Sequence, residues 1–274
     1  MILDAGVQDW VQNICRQDGN LTSADQAKLG SIFTGVLAAK ADVDVVSGDA
    51  PQAKSHLLLE GWAARYITLA DGRRQFVSLH VPGDILDLHS FPLPVLDYSV
   101  VTFTPCRVAL APHRRLRAAV TAYPAFAHFL WMSALIDAAI LRQWLVRTAK
   151  RPALERAAHF FCELFSRLQF AGQIADETFF FPLSQAELAD CLGLSGVHAN
   201  RVVQDLRARN LVDWRGRQVR IVDWIRLKAL AEFDAAYITP WSRELAPDTV
   251  GSTDGRQPRQ HPQAAASNAT RSRI

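Results

Sequence analysis

The spacing of apolar positions changes three times along the chain. Over residues 23–40, Leu29, Ile32, Phe33, Val36 and Leu37 recur every three to four positions, which predicts one amphipathic helix. Residues 1–21 carry no comparable pattern. Over residues 42–110 the apolar runs shorten and glycine punctuates them. Runs at 43–46, 56–59, 62–69 and 73–81 end at Gly48-Asp49, Glu60-Gly61, Asp71-Gly72 and Pro82-Gly83-Asp84, and runs at 100–104 and 107–110 follow. Short strands between turn signals predict a small antiparallel sandwich or barrel, and Asp71-Gly72 is a two-residue hairpin signal. Residues 112–122 read as a short helix. Pro124 then stands where proline opens a helix. Residues 125–148 carry Phe126, Phe129, Leu130, Trp131, Ile136, Ile140, Leu141, Trp144 and Leu145, apolar on more than one face. One face suits the strands and another a second copy of the chain. No heptad is clean: the best register, Leu130-Ala134-Asp137-Leu141-Trp144, places Asp137 in the seam. Lys150-Arg151-Pro152 breaks the helix, and residues 153–169 form the next one.

Residues 183–220 hold the densest set of local signals. Ser184 and Glu187 have capping-box spacing, and Leu183 with Leu188 has that of a hydrophobic staple. Leu188, Ala189 and Leu192 form one stripe, Gly193 can end the helix in a left-handed conformation, and Ser195 can cap a second helix. Two short helices so joined predict a helix-turn-helix. On the second helix Ala199, Val202, Val203 and Leu206 cluster on the buried side. Val197, Arg201 and Gln204 face outward, with Asn200 and Asp205 at the edges. Such a helix enters the DNA major groove by its first residues. Arg201 can fork onto guanine, Asn200 or Gln204 can pair with adenine, and Val197 suits a thymine methyl. Ser184, Gln185, Ser195 and His198, at the helix starts, are candidate phosphate contacts. Residues 211–214 and 218–221 read as strands of a hairpin around Arg215-Gly216-Arg217, a wing whose arginines reach phosphates. An ordinary helical hairpin with a solvated polar face is the plainer alternative. Residues 224–233 read as a closing helix.

Composition adds little until it is localised. The 274 residues suffice for two domains, and the net charge is only +3. Between Arg201 and Lys228, however, eight basic residues stand against three acidic ones. Cys15, Cys106, Cys162 and Cys191 are scattered without a Cys-x-x-Cys pair, so they read as small buried residues rather than zinc or redox ligands. No signal sequence and no run of 18 apolar residues is visible, which predicts a cytoplasmic protein with no membrane association. From Pro240 the chain is rich in Pro, Ser, Thr, Gln, Gly and Arg without periodicity, the composition of a disordered tail. The expected organisation is α+β: a sensor domain with an N-terminal antiparallel, jelly-roll-like β-roll (1–123), a long central dimerisation helix (124–150), a winged helix-turn-helix (151–239) and the tail (240–274).

With these elements in this order, the chain resembles the Crp/Fnr family of bacterial transcription regulators over about residues 30–235. The most specific pieces are Leu-Ser-Gln-Ala-Glu-Leu-Ala-Asp-Cys-Leu-Gly-Leu-Ser with His198, Asn200 and Arg201, and the Leu58-Leu59-Glu60-Gly61 and Pro82-Gly83-Asp84 turns. The resemblance implies a homodimer on near-palindromic double-stranded DNA, central helices as the interface (Leu130, Ala134, Asp137, Leu141, Trp144), a β-roll that senses a signal, and RNA polymerase as a partner if the protein activates. It also implies departures. The family's cyclic-nucleotide branch holds ribose with a Gly-Glu pair and phosphate with Arg-Ser or Arg-Thr. Aligned on Thr104-Pro105-Cys106, this chain offers Asp87-Leu88 and Leu96-Asp97, and a carboxylate repels a phosphate. The iron–sulfur branch needs an N-terminal cysteine cluster where only Cys15 stands. No cofactor is therefore expected. Many relatives carry Arg-Glu after the capping serine of the recognition helix, where this chain has Gly196 and Val197; Asn200 and Arg201 match the family's base-reading positions.

One competing chemistry remains open in the roll. His80, Asp84, Asp87 and His89 lie within ten residues, and Asp87 and His89 would share a side if extended. Imidazole with carboxylate suits a divalent metal, so His80, Asp87 and His89 are candidate ligands of a metal-binding β-barrel protein or enzyme whose winged helix serves protein contacts. A solvated or hydrogen-bonded turn is the plainer reading. Trp62, Trp131 and Trp144 read as core rather than as the lining of a ligand pocket. No Gly-x-Ser-x-Gly elbow, His-Glu-x-x-His or phosphate-binding glycine loop is present, which leaves hydrolase and NTPase chemistry without a motif.

Overall fold

Adjacent residues of the central strands belong to different cores. The structure, a computed structural model, describes residues 4–17, 22–93 and 95–238; the tail at 240–274 lies outside them. Strands β1 (Gly35–Ala39), β7 (Cys106–Pro112) and β3 (Lys54–Glu60) form one antiparallel sheet in that order. Strands β2 (Asp44–Val46), β6 (Ser99–Thr102), β4 (Ala63–Thr68) and β5 (Arg74–His80) form another. Leu58, Val108, Ala63 and Val100 point between the sheets into a shared core with Leu86, Leu96 and Tyr98. Their neighbours Leu57 and Ala109 point outward against helices, while Ala64 and Val101 point outward against the C-terminal domain. Successive strand side chains alternate between faces, and here both faces are covered. That is why these strands read as apolar runs rather than as alternation.

The helices on the first sheet are α1 (Ala5–Gln17), α2 (Ser23–Gly30), α3 (His113–Ala122) and α4 (Pro124–Lys150). Helix α1 has no clear signature in the sequence. Trp10 anchors it, edge-on to Phe33 and Phe129 at 5.6 and 5.8 Å, with its Nε1 donating to Gly83 O at 3.0 Å. The single helix expected over 23–40 is two elements. It stops at Gly30, and residues 35–39 pair with β7, so strand pairing overrides the local helical spacing.

Helix α4 buries Phe126, Phe129, Leu130, Ile140 and Trp144. Asp137 faces inward, accepting from Arg65 Nη1 at 2.6 Å. Leu130, Asp137 and Trp144 of the expected seam therefore face this chain's own body, Ala134 is half-buried and Leu141 is at the edge. The outward stripe runs one residue later, through Trp131, Leu135, Ala138, Arg142 and Leu145; Trp131 and Leu145 are 68% and 69% exposed. Trp131 is thus a surface residue, unlike Trp62 and Trp144. An 18-residue stretch of α4 has a mean hydropathy of 1.5 with only 22% of it buried, long and apolar enough by composition to cross a membrane. On the inward side, though, its charge is matched by protein.

The C-terminal domain comprises α5 (Ala153–Phe170), α6 (Gln185–Leu192), α7 (Gly196–Ala208), α8 (Trp224–Ala231) and a sheet of β8 (Thr178–Phe180), β10 (Gln218–Ile221) and β9 (Val212–Arg215) in that order. Strand β8 lies in the segment between α5 and α6. One core runs without a break from this domain into the roll. Trp62 meets Phe181 at 5.9 Å, and Tyr66 and Leu79 join Phe160, Leu188 and Val219. Polar ties reinforce the junction. Arg167 of α5 donates to Leu79 O at 2.9 Å and to the Asp84 carboxylate.

Burial pushes the Asp84 carboxyl up, but Arg167, His80 and the Val81 N–H outweigh it and hold its pKa at about 2. A carboxyl depressed on folding stabilises the protein above its unfolded pKa and ceases to do so as pH falls through the folded one. Asp84 should therefore contribute roughly 2 kcal/mol above pH 4 that is lost towards pH 2. Urea unfolding from pH 7 to pH 2 checks this: Asp84→Asn should be destabilised at pH 7, with the deficit shrinking on acidification. A deficit independent of pH would show that the carboxylate does not hold the junction.

Candidate nucleic-acid interface

Both helices of the helix-turn-helix are fixed by their own first turns. Glu187 N donates to Ser184 Oγ at 3.2 Å and Ser184 N to Glu187 Oε2 at 2.6 Å, a complete capping box. Gly193 ends α6 in the left-handed region at φ 61°. A methyl added there would lie 3.0 Å from Thr148 Cγ2 on α4, so the turn also rests on the central helix. Ser195 Oγ accepts from His198 N at 3.4 Å to open α7. Leu188, Ala189, Cys191 and Leu192 of α6 and Ala199, Val202, Val203 and Leu206 of α7 are buried.

The opposite side of α7 is free. Val197 is 86% exposed, and His198, Arg201 and Gln204 stand in solvent. Asn200 is half-buried and already engaged, its Nδ2 donating to Gln185 Oε1 at 2.6 Å. That bond joins the two helices and orients the Asn200 amide, a coupling not visible in the sequence. The hydroxyls of Ser184 and Ser195 accept from backbone N–H groups, which leaves each O–H as a donor.

The wing is a tight hairpin. Arg215 pairs with Gln218 across the turn, Gly216 takes φ +59°, and Trp214 Nε1 donates to Gly216 O at 3.0 Å. The two arginines differ. Arg215 Nε lies 2.9 Å from Asp213, whose other oxygen accepts from Arg207 at 3.0 Å. Slight burial raises the Asp213 carboxyl, but the bonds from Arg215 and Arg207 outweigh it and hold it below its ordinary value. Arg217, at the tip, has no side-chain partner among the described residues, nor has Arg201. Arg207 and Asp213 escaped the sequence reading because they meet across the α7–β9 turn, where neither periodicity nor spacing signals a pair.

The three candidate metal ligands do not converge. Asp87 is fully buried and accepts from His56 N at 2.6 Å and Ser90 Oγ at 3.0 Å, with His56 Nδ1 at 2.8 Å. Residues 88–90 form a 3-10 turn, not the extended segment that would align Asp87 with His89. His89 instead sits 3.1 Å from Tyr98 Oη and 3.4 Å from Asp137, while His80 Nδ1 is 3.2 Å from Asp84. No cluster of three His, Cys, Asp or Glu with metal-binding geometry occurs among the described residues. At the nucleotide positions, Leu88 and Leu96 are packed into core and Asp97 is exposed.

Residues 155–230 match a Crp-like helix-turn-helix domain. The chain is 28% identical over 173 residues to the transcriptional activator protein FnrA of Stutzerimonas stutzeri, covering 62% of this chain and 69% of that one. It is 29% identical over 182 residues to the nitrogen fixation regulation protein FixK of Rhizobium meliloti strain 1021, covering 65% and 76%. Its fold matches the structure of FixK2 from Bradyrhizobium japonicum with a TM-score of 0.65 at 23% identity, over 72% of this chain and 96% of that one. Over these stretches the chain resembles regulators of the Crp/Fnr family. It is a transcription regulator with a Crp-like helix-turn-helix DNA-binding domain and a cyclic-nucleotide-binding-like roll.

Arg217 stands exposed at the wing tip, away from the recognition helix's outward face. Arg217→Ala should weaken binding to specific and random DNA alike and reduce the salt dependence by about one charge. Binding titrations across salt concentrations check this, and altered sequence preference at an unchanged slope would count against a phosphate contact.

Proposed function

We propose that the chain acts as a homodimer on a near-palindromic operator, reading bases with Val197, Asn200, Arg201 and Gln204. The observation that carries this is the outward side of α7: a rigidly capped helix presents an exposed apolar contact and a free guanidinium at its start. Ser184, Gln185, Ser195, His198, Arg215 and Arg217 surround it as phosphate contacts. The roll (1–123), the central helix (124–150) and the winged helix (151–239) serve as sensor, interface and reader, and a chromosome-bound regulator works in the cytoplasm. RNA polymerase is a partner if the protein activates.

The interface we propose differs from the register read in the sequence. Trp131, Leu135, Ala138, Arg142 and Leu145 keep the four–three spacing of a coiled-coil seam, and a second copy offers the same stripe in return. The signal is something other than cyclic AMP, because the ribose and phosphate positions are occupied by packed leucines and the carboxylates of Asp87 and Asp97. The reading as a metal-binding protein or enzyme loses its support with the dispersal of His80, Asp87 and His89 among separate partners.

Two measurements test the reading. Arg201→Ala should cost about 1–3 kcal/mol on the cognate site and relax preference at one base pair per half-site; selection of bound sequences with unchanged preference would remove Arg201 as a reader. Leu145→Glu should leave a folded monomer in sedimentation and weaken operator binding by about 100-fold or more, because the two half-sites no longer act together. A Leu145→Glu dimer that binds normally would place the interface elsewhere.

A further inference from the structure

One of the residues proposed to read bases is already held by the other helix of the motif. Asn200 is half-buried on α7, and its Nδ2 donates at 2.6 Å to Oε1 of Gln185, the first residue of α6. The two residues are 15 apart in sequence, and the turn through Gly193 and the cap at Ser195 bring them together. Arg201 and Gln204, on the same outward side of α7, stand exposed without such a hold. Gln185 is itself exposed, and its Nε2 has no partner among the described residues.

The bond decides what Asn200 can still recognise. An asparagine amide has two N–H donors and one accepting oxygen. Gln185 takes one N–H, which leaves one donor and one acceptor. Adenine offers the complement in the major groove, N7 as acceptor and N6–H2 as donor. Guanine offers two acceptors, N7 and O6, and Asn200 has a single donor left for them. Cytosine and thymine each present one polar group, so one half of the amide would go unpaired. If Asn200 alone turned over, its oxygen would face the oxygen of Gln185 with no proton between them. If both amides turned over, Gln185 would donate to Asn200, and the outward set would become two N–H groups, suited to guanine. A phosphate separates these two states, because it only accepts. Gln185 stands at the start of α6, where phosphates are contacted. A phosphate there draws Nε2 towards itself and leaves Oε1 for Asn200.

We propose that Gln185 is a positioning residue for base reading: it commits Asn200 to adenine at one base pair per half-site, and a backbone phosphate keeps Gln185 in the orientation that does so. The inference rests on the DNA-binding reading above and narrows it. A phosphate contact carries no sequence information of its own, and here it acquires some by fixing the amide next to it.

Selection of bound sequences from a random DNA pool, with the full chain and its variants, tests this. Asn200→Ala identifies the base pair, as the position where preference is lost. The wild type should favour adenine there by at least about fivefold, the lower end of a two-bond contact. Gln185→Ala should reduce that preference to within about twofold and leave the preferences at other positions as they are. Gln185→Glu keeps the accepting oxygen and loses the phosphate donor. It should retain adenine while weakening operator and random DNA alike by about fivefold or more. Gln185→Ala added to Asn200→Ala should alter no preference further. A Gln185→Ala protein that binds all sequences more weakly but still prefers adenine would reduce Gln185 to a phosphate contact and overturn the inference. So would loss of the adenine preference in Gln185→Glu, or a wild-type preference for guanine at this position. A second measurement needs no DNA. In nitrogen-15 NMR spectra the Asn200 side-chain amide pair, assigned by its loss in Asn200→Ala, should shift in Gln185→Ala, and an unmoved pair would remove the bond on which the inference stands. A wild type that selects a sequence no part of which depends on Asn200 sinks this inference alone, whereas a wild type that selects no sequence sinks the regulator reading.

Discussion

The ion pair between Arg65 and Asp137 sets the geometry of the rest. Arg65 is buried on a sheet, its guanidinium spread over two carbonyls, the Asp137 carboxylate and, at 4.8 Å, the Tyr98 ring. Burial opposes ionisation of Asp137, but Arg65 and the neighbouring imidazoles outweigh it and keep the carboxyl below its ordinary range. Such a pair adds little net stability compared with an apolar one, yet breaking it strands a charge in the interior. Its value here is orientational. It fixes how α4 is rotated about its own axis, and so decides which apolar residues meet the roll and which are left outside.

The DNA-binding module was legible because its signals are local. Ser184 with Glu187, Gly193 and Ser195 each act within one helical turn, and the structure has each cap in place. The central helix was legible as a helix but not in its rotation. Leu130-Ala134-Asp137-Leu141-Trp144 and Trp131-Leu135-Ala138-Arg142-Leu145 are both apolar stripes of similar quality, offset by one residue. Arg65, 72 residues away in sequence, favours one over the other. The same holds for Arg167, whose partner Asp84 lies 83 residues earlier, and for Arg147, buried over the Trp144 and Phe160 rings and 3.7 Å from Glu163. Isolated arginines in apolar runs look like solvated surface until the fold supplies their partners. Strand β1 was hidden for a related reason: Ile32, Phe33, Val36 and Leu37 keep a helical spacing, and only the pairing with β7 pulls the last two into a strand.

Because both faces of the roll are covered, its strands transmit as well as support. Ala63 and Ala64 are neighbours in one strand, one in the roll interior and the other in the core shared with the DNA-binding domain. Close-packed interiors do not deform continuously, so a displacement on one face of such a sheet reaches the other within a single residue. Phe181, between Trp62 of the roll and Trp214 of the wing at 5.9 and 5.2 Å, is an aromatic path across the junction.

The contact between Gly193 and Thr148 gives α4 a further property. Thr148 lies in the last turn of a 27-residue helix, about 40 Å long at 1.5 Å per residue. The turn ahead of the recognition helix rests on that far end, so its position follows the tilt of α4. A tilt of only about 5° about its near end would carry the far end roughly 3.5 Å, close to the rise of one DNA base step. A small change in angle at the top of α4 would thereby displace the turn ahead of the recognition helix by about that distance.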